Sequence, residues 1–149
     1  MPASLRRAFR ALDERHPTTL INRVQGHWKL ESLADVIQKA NATPAPDFSQ
    51  LTRLVADCAQ QGETVAAEVL DRGGRELAYL AQLVIERLRE METDDFVLPA
   101  VAIAGSVLRS IAPVRQAMTD ALLHSYPGIR ISPEVVDPAL GALWRARAG

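Results

Sequence analysis

Residues 97–109, VLPAVAIAGSVLR, constrain the fold more than any other stretch of the chain. An apolar run stops at Ala104-Gly105-Ser106, and a helical pattern begins just beyond it. Leu98 to Ala104 is too short for an ordinary helix and is bounded by Pro99 and Gly105, so the pattern predicts a strand. Its unbroken apolarity fits a parallel strand covered on both faces. A buried strand that breaks at glycine and feeds a helix N-terminus is one way an α/β fold brings backbone against a nucleotide. On pattern alone, an ordinary strand-to-helix turn is the simpler reading, since glycine is favoured there for its backbone freedom.

The residues that follow extend this unit. Pro113 stands near a helix start that leads into Val114, Ala117, Met118, Ala121 and Leu122. Pro127-Gly128 turns the chain into Ile129-Arg130-Ile131, a second short strand. Asp137-Pro138 then opens a terminal helix containing Gly141, Leu143 and Trp144. Strand, helix, strand, helix is a βαβα order, for which a parallel pair with a right-handed crossover is expected.

The first 92 residues read as helices. Ser4 is a candidate N-cap for a helix to about Arg15, with Leu5, Ala8, Phe9 and Leu12 on one stripe. After Pro17, Thr18 or Thr19 caps a short helix ending at Gly26, and Ser32 caps another carrying Leu33, Val36, Ile37 and Ala40. The prolines of 41–46 forbid helix there. Asp47 or Ser49 opens the next helix, predicted to bury Leu51, Leu54, Val55, Cys58 and Ala59 before Gln60-Gln61-Gly62 ends it. A long helix follows from about Glu63 to Glu90, its stripe running through Ala66, Val69, Leu70, Gly73, Leu77, Leu80, Ala81, Val84 and Leu88. Gly73-Gly74 costs this helix roughly 1 kcal/mol per glycine relative to Ala, and implies a bend or a close helix crossing. Residues 91–95 form a polar turn. The composition shift near residue 92 divides a single domain of 149 residues into a helical part, 1–92, and a βαβα part, 93–149.

Composition removes several functions. Net charge is -1, leaving no bulk electrostatic case for nucleic acid or an anionic membrane. No apolar run reaches the roughly 18 residues of a membrane span, and no signal-peptide pattern opens the chain, so a cytoplasmic location is expected. The single cysteine, Cys58, excludes an internal disulfide and a multi-cysteine metal site. It falls on an apolar stripe and reads as a small core residue rather than a thiolate nucleophile. His16, His27 and His124 lack metal-ligand spacing. Asp94 and Asp95 resemble a carboxylate pair, but a solvated loop is the better reading of them. His27-Trp28 reads either as an aromatic anchor at an interface or as an ordinary core tryptophan.

Three short segments carry a resemblance: Ala59-Gln60-Gln61-Gly62-Glu63, Gly105-Ser106-Val107 and Pro138-Ala139-Leu140-Gly141-Ala142. In their order and spacing, the chain from Ser4 onward resembles the C-terminal lobe of the N-acetylglucosamine kinase and BadF/BadG/BcrA/BcrD-type ATPase family, within the actin-like ATPase superfamily. The resemblance implies a predominantly helical α/β fold: a truncated RNase H-like lobe in which a multi-helix segment precedes a small parallel βαβα unit. It implies ATP as ligand, with magnesium in the complete enzyme, and an amino sugar as substrate. Gly105 and Ser106 would form the adenosine motif, and Ser49 would border adenine, though Ser49 as a helix cap is at least as good a reading. Phe48 beside it offers a ring face.

The family's Asp-Gly-Gly-Gly-Thr phosphate loop, its catalytic aspartate and its Gly-Asp-Glu-Gly-Ser-Gly segment do not occur in this sequence. The expectation is therefore a nucleotide-side portion of a sugar kinase that is inactive alone. The alternative is a non-catalytic helical interaction or dimerisation module derived from the same lobe. A third branch, the ATPases that drive electrons into acyl-CoA dehydratases, normally carries cluster-binding cysteines, and a lone Cys58 argues against it. A sheet reduced to two strands should expose an edge and an apolar face. A second copy, a partner lobe or refitted helices would then cover it.

Overall fold

A computed structural model describes residues 1–16, 18–92 and 96–148. The predicted polar turn at Asp94 and Asp95 lies outside the described residues, as does Pro17. Among the described residues the chain is a predominantly helical α/β protein with eight helices and one two-stranded parallel sheet. It divides into two compact units, Met1–Asp71 and Arg72–Gly149. The division falls inside the long helix of residues 64–91.

The first unit holds α1 (Ala3–Asp13), α2 (Leu20–Trp28), α3 (Leu33–Ala40), α4 (Ser49–Gln60) and the opening turns of α5 (Thr64–Met91). Its core joins Leu5, Val24, Val36, Ala40 and Leu51, with Phe9, Trp28 and Phe48 packed against it. Trp28 is half-buried with its ring 6.2 Å from that of Phe48, and the Lys39 ammonium lies over the ring at 5.4 Å from its centroid. This fits the core reading of Trp28.

Local chemistry sets the start of α3. The Ser32 hydroxyl accepts from the Asp35 N–H at 3.1 Å, and the Asp35 carboxylate accepts from the Ser32 N–H at 2.9 Å, a complete capping box at the start of α3. α1 differs from expectation: Pro2 precedes it with no side-chain cap, and Ser4 lies inside the helix. α2 runs past Gly26 to Trp28, and Lys29 takes the left-handed conformation there at φ 54°. Of the predicted α3 stripe, Val36 and Ala40 are buried while Leu33 and Ile37 are exposed.

The second unit holds the rest of α5, then β1 (Val101–Ala104), α6 (Ser106–Ser110), α7 (Ala112–Ser125), β2 (Ile131–Val136) and α8 (Pro138–Ala148). Its core gathers Ala78, Ile85, Ile103, Met118, Leu122 and Ile129. The predicted stripe of α5 is corrected here. Beyond Leu70 the buried positions are Gly74, Ala78 and Ile85, whereas Leu77, Leu80 and Val84 face solvent. The reason lies at Gly74, where a Cβ would meet the Val114 carbonyl oxygen at 2.4 Å and the Ala117 Cβ at 2.7 Å. The expected close crossing exists, made by Gly74 against α7, while Gly73 has open space beside it. With α7 seated on Gly74, the neighbouring apolar arc turns outward.

The sheet has the expected parallel order, with Val101 beside Ile131 and Ala104 beside Val136. The strand bounds differ from expectation, β1 beginning at Val101 rather than Leu98. β2 carries two extra residues between its Ile131 and Val135 pairings, where Pro133 lacks the N–H a ladder needs. β1 is not covered on both faces: Ile103 is buried, Ala102 and Ala104 are exposed. Two strands present too little sheet for two covering layers.

Candidate functional site

The carboxyl end of β1 runs directly into Gly105, whose φ of 95° and ψ of 159° end the strand and start α6. That φ is strained for any L side chain, so the conformation itself calls for glycine. Packing does not, because nothing lies within 4 Å of where a Cβ would stand. The turn is open to solvent, with Ala104, Gly105, Ser106 and Val107 all exposed. Behind it the Arg109 N–H donates to the Gly105 carbonyl at 3.1 Å, closing the one full turn of α6. The Arg115 guanidinium donates to the Leu108 carbonyl at 3.5 Å, tying that turn to α7. An exposed strand end, a glycine without neighbours and a free hydroxyl-bearing residue beside it can admit a flat or polar ligand close to backbone.

Ser49 belongs to the first unit. It is the first residue of α4, and its N–H donates to the Asp47 carboxylate at 2.9 Å. The Ser49 hydroxyl also bonds that carboxylate, which holds the Asp47 carboxyl below its ordinary value, helped by the backbone bond. The structure thus gives Ser49 a helix-start role, with Asp47 completing the turn.

Cys58 is 2% exposed, and burial pushes its thiol above the ordinary value against the opposing pull of Arg23. A thiol held neutral in this way is a core residue. Among the described residues no group of three or more His, Cys, Asp or Glu side chains is placed to hold a metal ion. No helix among them is long and apolar enough to cross a membrane.

Sequence reasoning missed a charged concavity of about 350 Å³ in the first unit, lined by Arg7, His16, Thr64, Val65 and Glu68. The Arg7 guanidinium lies 2.7 Å from Glu68 and 3.4 Å from Glu14, and Arg10 lies 2.7 Å from Glu14. The Glu14 carboxyl is held below its ordinary value chiefly by the hydrogen bond from Arg10. These charges satisfy one another. Arg7 and Glu68 stand 61 positions apart in the chain, so no local spacing announces the pair.

The chain matches no protein-family model, no curated protein and no solved structure.

Proposed function

We propose that this chain is the nucleotide-side portion of an ATP-dependent sugar kinase of the N-acetylglucosamine kinase type, in an RNase H-like lobe. One observation carries the reading: a solvent-open Gly105 at positive φ stands at the carboxyl end of a parallel strand, followed at once by Ser106. The carboxyl ends of parallel strands are where open α/β sheets take ligands. In this reading the missing Cβ of Gly105 lets the adenosine approach backbone, and the Ser106 hydroxyl hydrogen-bonds the ribose or base.

The chain's own role is to bind and orient. In this reading a second lobe would hold the magnesium that neutralises phosphate charge. That lobe would also supply the carboxylate that takes the proton of the attacking sugar hydroxyl. Location in the cytoplasm belongs to the same reading.

Calorimetric titration of the chain with ATP or ADP in the presence of magnesium tests it. Binding is expected. Gly105→Val should weaken it about tenfold, near 1.4 kcal/mol, and Ser106→Ala by a few-fold, near 1 kcal/mol, with circular dichroism checking that each variant folds. Binding that survives both changes unaltered would remove the adenosine motif. Absence of any binding would leave a non-catalytic module descended from such a lobe.

A further inference from the structure

From Arg72 onward α5 carries apolar side chains on two faces. Gly74, Ala78 and Ile85 form one and are buried. Leu77, Leu80 and Val84 form the other and are 36%, 57% and 60% exposed, with Leu83 flanking them at 49%. Their spacing of three and four residues is that of a coiled-coil seam. A helix that meets water keeps that side polar, so this second face is built for a covering helix.

The charges on the seam decide which helix. Glu76 immediately precedes Leu77, and Arg87 takes the next seam position after Val84. At a rise of 1.5 Å per residue, the midpoint between Leu80 and Val84 lies about 9 Å from Glu76 and about 7.5 Å from Arg87, in opposite directions. A second copy laid antiparallel about a twofold axis at that midpoint sets Leu80 against Val84 of the other chain. It also brings each Glu76 beside the other chain's Arg87. A parallel copy would oppose Glu76 to Glu76 and Arg87 to Arg87.

Among the described residues these two have local, exposed partners. Glu76 lies 3.7 Å from Arg72 and Arg87 lies 2.9 Å from Glu90, and such surface pairs exchange at little cost. We infer that the Leu77–Leu80–Val84 face of α5 is an antiparallel, self-complementary dimer seam whose direction is set by Glu76 and Arg87. The inference stands whether or not the chain binds nucleotide.

Sedimentation velocity on the whole chain over a concentration series tests it. The expected species has twice the 16.3 kDa chain mass. Leu80→Glu, an exposed change that leaves the core untouched, should leave only monomer. Glu76→Arg and Arg87→Glu should each raise the dissociation constant at least about tenfold. An equimolar mixture of those two variants should recover the dimer, since both cross-pairs are then again of opposite sign. A wild-type chain that stays monomeric throughout would overturn the proposal. So would a dimer indifferent to Leu80→Glu, one indifferent to Glu76→Arg, or a mixture that fails to recover.

Discussion

The two units solve the same problem with opposite success. Among the described residues, six of the seven largest fully buried side chains (Leu5, Leu20, Leu51, Val24, Val36 and Cys58) lie in the first unit, and only Leu122 lies in the second. The large exposed apolar side chains are distributed the other way: Met1, Leu12, Leu33 and Ile37 in the first unit, against twelve from Leu77 to Leu143 in the second. Four short helices wrap one small core. A two-stranded sheet and a long helix with two apolar faces cannot, because each offers more apolar surface than its neighbours cover. The first unit therefore covers its large apolar side chains more completely than the second. α8 makes the same point, with Leu140 and Leu143 exposed at 66% and 56%.

The contrast can be broken by mutation, and the largest effect should come from the cores. Leu51→Ala removes a fully buried side chain and should cost about 3 kcal/mol in denaturant unfolding. Leu80→Ala should change stability by no more than about 0.5 kcal/mol at concentrations where the chain is monomeric. Equal costs would mean that the second face of α5 is covered within one chain.

The next effect separates two adjacent glycines. Gly74→Ala drives a methyl into the Val114 carbonyl and should cost about 2 kcal/mol. Gly73→Ala has open space and should stabilise the helix by up to about 1 kcal/mol. The smallest effect is local to the first unit. Ser32→Ala removes the capping box of α3 and should cost about 1 kcal/mol, read from the same unfolding curves.

What could be read in advance was what neighbouring residues decide by themselves. The Ser32 cap and the strand ending at Gly105 follow from short-range chemistry, the parallel pair follows from the order of strand, helix and strand, and the close crossing is one of the two readings that the double glycine offers. The face of α5 did not, because an apolar arc spanning both Leu77 and Ala78 satisfies the helical period in two registers. Only the seating of α7 on Gly74 chooses between them. The end of α2 escaped for a different reason, since Lys29 occupies a conformation that glycine usually marks. At the candidate site, Gly105 was legible because a positive φ after a strand all but demands glycine. Ser49 is legible as a helix-start residue, since Asp47 or Ser49 opening α4 follows from sequence, while a ligand-binding serine at that place would look the same.

The parallel pairing of β1 with β2 also bears on the order in which the chain acquires structure. β1 finds no partner in the residues beside it and must wait until synthesis has passed Ile131. By then every residue of the first unit has been made, and domains generally fold as units while the chain emerges. The Gly105 turn lies at the end of β1, so its setting depends on a contact that closes a loop of about 30 residues.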